Sequence, residues 1–191
     1  MRITAGQFRG RTVHCPPGLE VRPTSAKVRQ AFFNILGTRI VRSSFLDVFA
    51  GSGLIGFEAL SRGAARVVFV EEAANQGKAI LKTIDMFATD PDGMGEAQLI
   101  SGDFRRVLER LKGSKFDLIF ADPPYKLRYG SLILELVEKL GLLTEGGLVV
   151  IEHFRDDVLP ENSPGGNLNK SDYRLYGQTA LTFFCRRQSS Q

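Results

Sequence analysis

The sequence predicts an α/β fold: a doubly wound, mostly parallel seven-stranded sheet with a C-terminal antiparallel hairpin, preceded by a small N-terminal β-hairpin and helix. Three observations predict it. From Phe45 onward, short β-rich apolar runs alternate with segments of helical period, the pattern of βαβ crossovers that build a parallel sheet with helices on both faces. Only Gly177 to Thr179 separate the last two strand candidates, too few residues for a crossover, so those two strands must pair antiparallel. At 191 residues and 43% hydrophobic, the chain suits one sizeable core.

Taken in order, Arg2 to Ala5 and Arg11 to His14 can pair across Gly6 to Gly10, forming the N-terminal hairpin. Ser25 can cap a helix running to about Leu36, with Val28, Phe32, Ile35 and Leu36 on one face. Strands are expected at Phe45 to Phe49, Arg66 to Glu71, Ala97 to Ser101, Phe116 to Ala121 and Gly147 to Glu152. The helices between them are Gly53 to Arg62, Asn75 to Phe87, Phe104 to Leu111 and Ser131 to Leu140. Tyr173 to Tyr176 and Ala180 to Arg186 make the closing hairpin. Turn-forming residues mark Thr89 to Gly95 and Asn162 to Asn169 as surface loops, and Gln188 to Gln191 as a tail.

No apolar run approaches the ~20 residues of a membrane helix, and Arg2 and Arg9 break up any signal-peptide core, so a soluble, cytoplasmic protein is expected. Two cysteines, Cys15 and Cys185, and two histidines, His14 and His153, give no ligand set with metal spacing, so no metal is expected. The net charge of +4 is unevenly distributed. Residues 1–44 carry eight basic side chains against one acid, a balance of +7, and the remainder carries 17 against 20. Such a basic leader attracts phosphates, although an ordinary solvated surface has the same composition.

After the first strand, Asp47-Val-Phe-Ala-Gly51-Ser-Gly53-Leu-Ile-Gly56 has the G-x-G-x-x-G spacing of dinucleotide sites, with Glu71 closing the second strand. On glycines alone, NAD fits as well as any other adenosine cofactor. Asp47 changes the balance: a carboxylate at the strand end repels a pyrophosphate but attracts the ammonium and sulfonium of S-adenosylmethionine. Glu71 can accept both ribose hydroxyls. Asp103 can accept from the adenine amine or cap the helix that starts at Phe104, whose ring and backbone N–H are further candidates, as is Phe49 within the loop.

The fourth strand delivers Asp122-Pro123-Pro124-Tyr125 to the carboxyl edge of the sheet, where open α/β folds bind ligands. An aromatic exocyclic amine is a poor nucleophile because its lone pair is delocalised. Asp122 and the Pro123 carbonyl can accept its two hydrogens and hold nitrogen in line with a methyl donor, while the prolines stiffen the backbone. Tyr125 offers a face to a base swung out of its stack, worth ~1–3 kcal/mol. With no Cys, His or Lys nearby to act as a covalent nucleophile, direct transfer is the expected route.

These motifs, with the opening Met1-Arg-Ile-Thr-Ala-Gly6-Gln-Phe-Arg-Gly10-Arg11 and the stretch Arg22-Pro-Thr-Ser-Ala-Lys-Val-Arg29-Gln-Ala-Phe-Phe-Asn-Ile-Leu36, make the chain resemble the bacterial methyltransferase family that modifies guanine N2 in small-subunit ribosomal RNA. The resemblance runs nearly end to end. It implies a class I, Rossmann-like methyltransferase using S-adenosyl-L-methionine, acting at guanine 966 of 16S ribosomal RNA within assembled or partly assembled small subunits. Cofactor contacts are then expected from Asp47, Phe49, Gly51, Gly53, Glu71, Asp103 and Phe104, base handling from Asp122, Pro123, Pro124 and Tyr125, and RNA contacts from Arg9, Arg11, Arg22, Lys27 and Arg29. Residues 1–44 would be the RNA-facing extension, 45–187 the catalytic domain and 188–191 a tail. Gln30 stands where the family commonly has an acid, and the loop from Thr89 to Gly95 is longer than usual. Because phosphates look alike to lysine and arginine, charge alone leaves methylation of DNA adenine N6 open, and an NAD-dependent oxidoreductase or a non-catalytic RNA-binding protein remain the other classes.

Overall fold

The computed structural model describes residues 1–15 and 26–186. Arg22, the capping residue Ser25 and the tail from Gln188 lie outside them. Seven strands form a mostly parallel sheet with antiparallel C-terminal strands, as predicted. The chain divides into two compact units, Met1–Phe104 and Arg105–Gln191.

In the first unit, β1 (Ser44–Val48), β2 (Arg66–Glu71) and β3 (Glu96–Ser101) pair in parallel in the order β3-β2-β1, with Ser44 opposite Arg66 and Arg66 opposite Glu96. Phe45 to Val48 and Val67 to Val70 are all buried, as expected for strands covered on both faces. α2 (Leu54–Ser61) is buried along its whole length and α3 (Ala74–Ala88) buries Ile80, Thr83 and Phe87. Phe57 packs on Phe69 at 4.8 Å and on Phe87 at 5.5 Å between ring centres, and Phe87 on Phe8 at 4.6 Å, so one chain of rings joins β2, both helices and the leader.

The leader is held by this packing and by strand pairing: around the antiparallel bridge of Arg2 with Thr12, the Ile3 N–H donates to the Arg11 carbonyl at 3.0 Å and the Val13 N–H to the Met1 carbonyl at 2.8 Å. Ile3, Phe8 and Val13 are buried, and the Gln7 N–H donates to the Ser61 carbonyl at 2.8 Å. A Cβ on Gly6 would sit 1.8 Å from that same carbonyl oxygen, so only glycine permits the approach. α1 (Ala26–Leu36) buries Val28, Arg29, Phe32, Phe33 and Leu36. Its inner face is rotated from the predicted one: Phe33 takes the place of Ile35, which is 38% exposed.

The unit boundary falls inside α4 (Phe104–Arg110). In the second unit, β4 (Phe116–Ala121) pairs in parallel with β5 (Leu143–Phe154), Ala121 opposite Ile151. β5 pairs antiparallel with β7 (Thr179–Arg186), and β7 with β6 (Leu168–Tyr176), across a tight turn at Gly177 with φ 65°. α5 (Gly130–Lys139) buries Ile133, Leu134, Leu136 and Val137. β5 begins four residues before the predicted start at Gly147, and β6 takes Leu168 and Asn169 from the predicted loop. That loop is tied down instead: Glu138 accepts the Gly165 and Asn167 N–H groups at 2.8 and 2.7 Å; desolvation pushes its carboxyl up, but hydrogen bonds from the Ser163 side chain and from Asn167 and Gly165 outweigh it and hold the carboxyl below the ordinary value. Among the described residues, no helix is long and apolar enough to cross a membrane.

Candidate active site

At the carboxyl ends of β1 and β2 the chain turns back through the glycine loop, and here the first unit gathers most of the predicted cofactor residues. Asp47 is 2% exposed, and its Oδ2 accepts the Gly56 N–H at 2.9 Å, tying β1 to the first turn of α2. Burial pushes this carboxyl up to about 7, the Gly56 bond opposes the rise and the charge of Glu71 adds to it. Phe49, a non-glycine residue, is held at φ 62°, and Gly51 and Gly53 follow at 55° and 75°. These alternate residues all enter the left-handed region, a conformation that glycine adopts freely and phenylalanine only under constraint. Gly56 serves a different purpose: a Cβ there would lie 2.2 Å from the Phe69 ring, so glycine lets α2 press onto the sheet.

Glu71 bridges the loop and the next helix. Its Oε2 accepts the Gly51 N–H at 2.7 Å and its Oε1 accepts the Ala73 N–H at 2.8 Å. Asp103 is half-buried immediately before α4. The Phe104 side chain is only 4% exposed and packs on Phe49 with ring centres 4.7 Å apart, so the more accessible ring of the pair is Phe49.

The second unit carries the tetrad where β4 ends. Asp122 is half-buried, Pro123 buried and Pro124 exposed, and Tyr125 opens a single 3-10 turn to Leu127 that closes when the Leu127 N–H donates to the Pro124 carbonyl at 2.9 Å. The Tyr125 hydroxyl lies 3.4 Å from Oε1 of Glu152 and 3.5 Å from Oγ1 of Thr179, and its ring centre is 6.1 Å from that of Phe154. Glu152 is 2% exposed. Sequence reasoning passed over Glu152 and Thr179; the available signal was an acid ending the apolar run Leu148-Val-Val-Ile151 at the carboxyl edge of the sheet.

The basic leader separates into distinct groups. Arg9 and Lys27 are exposed. Arg11 pairs with Asp90 of the 89–95 loop and stacks over Phe8 and Phe87, and Gln7 Nε2 donates to the Gly93 carbonyl at 2.6 Å, so that loop is a buttress for the leader. Arg29 corrects the expectation of an RNA contact. Its side chain is 6% exposed, its Nε is 3.7 Å from Glu58, and it donates to the Arg2 carbonyl at 3.2 Å. Burial lowers its pKa from the ordinary value. Glu58, wholly buried on α2, also accepts from the Thr4 N–H at 2.8 Å, the Thr4 hydroxyl at 2.6 Å, the Ala5 N–H at 3.1 Å and Arg62 Nε at 3.0 Å. Paired and hydrogen-bonded in this way, a buried carboxylate can fasten a segment in place.

Among the described residues, no three His, Cys, Asp or Glu side chains converge to hold a metal, and Cys15 and Cys185 are free thiols. For an adenosine cofactor with a cationic tail the donor set fits: a buried acid at β1, a left-handed glycine loop and an acid at the end of β2.

Residues 1–185 match the family described as Conserved hypothetical protein 95. The chain is 31% identical to ribosomal RNA small subunit methyltransferase D of Escherichia coli K12 over 191 residues, covering 100% of this chain and 92% of that one. It is 34% identical to YlbH of Bacillus subtilis, covering 98% and 100%. The solved structure of yhhF from Escherichia coli superposes with a TM-score of 0.84 at 32% identity, covering 97% of each chain.

Proposed function

Since the chain belongs to the family of ribosomal RNA small subunit methyltransferase D, we propose that it transfers the methyl group of S-adenosylmethionine to the exocyclic N2 of a guanine in 16S ribosomal RNA, at position 966. The observation that carries the reading is the buried Asp47 beside Glu71 at a left-handed glycine loop, in a chain that also holds Asp122-Pro-Pro-Tyr125 at a strand end.

S-adenosylmethionine supplies an activated methyl group on a sulfonium, which leaves as a neutral thioether. Asp47 attracts the cationic tail and Glu71 accepts from the ribose hydroxyls, giving up its bond to Gly51 or sharing it. Asp103 and the Phe104 N–H hold the adenine edge, with Phe49 against the ring. Asp122 and the Pro123 carbonyl accept the two amine hydrogens of a flipped guanine, drawing electron density onto nitrogen and aiming it at the methyl carbon. Tyr125 stacks on the base. The new N–C bond forms as the S–C bond breaks, and the surplus amine proton passes to solvent, so no strong base is needed.

Exposed Arg9 and Lys27, with Arg22, are assigned to phosphate contacts on the small subunit, a cytoplasmic partner. The test is incubation with methyl-labelled S-adenosylmethionine and either unmethylated small subunits or duplex DNA, followed by digestion to nucleosides. Label in N2-methylguanosine supports the proposal. Label in N6-methyladenine, or NAD binding without binding of S-adenosylmethionine, overturns it.

A further inference from the structure

We infer that Leu127 is the side chain that enters the gap left in the RNA stack when the target guanine turns out, with Lys126 and Arg128 meeting the phosphates on either side; this rests on the flipped-guanine reading above. Turning a base out of a stack breaks its contacts and leaves the flat faces of both neighbours in water. Proteins that hold nucleic acid open offset this by inserting an apolar side chain between the separated bases, and the phosphates nearby draw lysine and arginine. Such a side chain has to be apolar, exposed, rigidly mounted and within reach of the pocket that receives the base.

The second unit mounts Leu127 in this way. The turn Tyr125–Leu127 follows the tetrad directly, and the Leu127 N–H donates to the Pro124 carbonyl at 2.9 Å, so the leucine is pinned to the backbone of the residues assigned to the base. Its side chain is nevertheless left out of the core: Leu127 is 52% exposed, whereas Ile133 and Leu134 of α5 are fully buried. Isolated surface leucines are common, and what sets this one apart is its mounting and its neighbours. Arg128 ends the turn at φ 47°, a left-handed backbone that a non-glycine residue keeps only under constraint. The constraint comes from the segment after β5. A Cβ on Gly130 would lie 2.4 Å from Leu159, so the start of α5 is pressed onto that segment, and Arg128 Nε lies 3.9 Å from Asp157 within it. Lys126 is exposed and the Arg128 side chain is 77% exposed, so the leucine stands between two solvent-facing cations, a charge pattern complementary to a phosphate chain. An exposed ion pair as long as that of Arg128 with Asp157 holds its guanidinium weakly, which leaves it able to turn to a phosphate.

The test uses unmethylated small subunits and methyl-labelled S-adenosylmethionine, with the wild type run first. Wild-type label anywhere but N2-methylguanosine would overturn the guanine reading and this inference with it; a wild type that labels guanine leaves the variants to decide on Leu127 alone. Leu127→Ala should lower kcat/KM by ~10-fold, the worth of burying the exposed part of a leucine, with Tm and S-adenosylmethionine affinity unchanged. Leu127→Phe, which restores apolar bulk, should recover most of the wild-type rate, and Leu127→Asn, of similar size but polar, should not. Lys126→Ala should lower the slope of log affinity against log salt by ~1, whereas Leu127→Ala should leave that slope alone. An alanine variant as active as the wild type, or one whose Tm or cofactor affinity falls with its rate, would overturn the wedge. So would phenylalanine as slow as alanine, or asparagine as fast as the wild type. An unchanged slope for Lys126→Ala would overturn the phosphate contact beside it.

Discussion

The Gly51 N–H donates to Oε2 of Glu71 at 2.7 Å, so the carboxylate proposed to bind ribose also fastens the glycine loop. The two roles share one side chain. Glu71→Gln keeps the shape but loses charge at both partners, and should weaken S-adenosylmethionine binding by ~10- to 100-fold in calorimetry. Unchanged affinity would remove Glu71 from the cofactor site.

Asp47, if it holds the cofactor as proposed, should make binding depend on pH. Its folded carboxyl is raised to about 7 from the ordinary 3.8, so between those values the folded state keeps a proton that the unfolded chain has lost. Stability of the ligand-free protein therefore falls as pH rises through this window and is flat on either side. The cofactor ammonium favours the ionised acid, so binding should tighten by up to ~10-fold per pH unit up to about pH 7 and then level off. Asp47→Asn should flatten that dependence, weaken binding at pH 8 and raise the Tm of the ligand-free protein there. Titration calorimetry and thermal melts across pH check all three.

Asp122 is expected to act on the amine and not on the cofactor. Asp122→Ala should lower kcat by ~10²- to 10³-fold, the usual loss on removing one preorganised polar group, and leave S-adenosylmethionine affinity within a few-fold. Comparable losses in both would make Asp122 a structural residue of the β4 end.

The leader arginines should separate by experiment as they do in space. Arg9→Ala should weaken RNA binding and lower the slope of log affinity against log salt by ~1, because one phosphate contact disappears. Arg29→Ala should leave that slope alone and destabilise the fold by ~1–3 kcal/mol, because a buried contact is lost while Arg62 still pairs with Glu58. A changed salt slope with intact Tm for Arg29→Ala would restore it to the RNA surface.

Periodicity made the sheet legible. β2 and β4 match their predicted ranges residue for residue, since each is a run of β-formers bounded by turn residues. β5 extends beyond the expected Gly147 to Glu152 at both ends, running through Gly146 at φ 71° with the register shifting between Phe116 and Leu118, an irregularity that period-2 patterning does not encode. The placement of Asp47, Gly51 and Glu71 at the strand ends and in the glycine loop was legible from their spacing. Arg29 was misread because its partner Glu58 lies on another helix, and burial of that pair depends on tertiary packing that no local pattern encodes. Glu152 escaped for a related reason: its nearness to Tyr125 depends on the pairing of β4 with β5.

Methyl transfer as proposed requires the donor held by Asp47 and Glu71 to meet the amine held by Asp122. A structure of the protein with S-adenosylmethionine and a guanine-containing RNA fragment measures this directly. The account predicts the methyl carbon ~3–3.5 Å from guanine N2, in line with the sulfur. Cofactor and base seated on opposite faces of the sheet would contradict it.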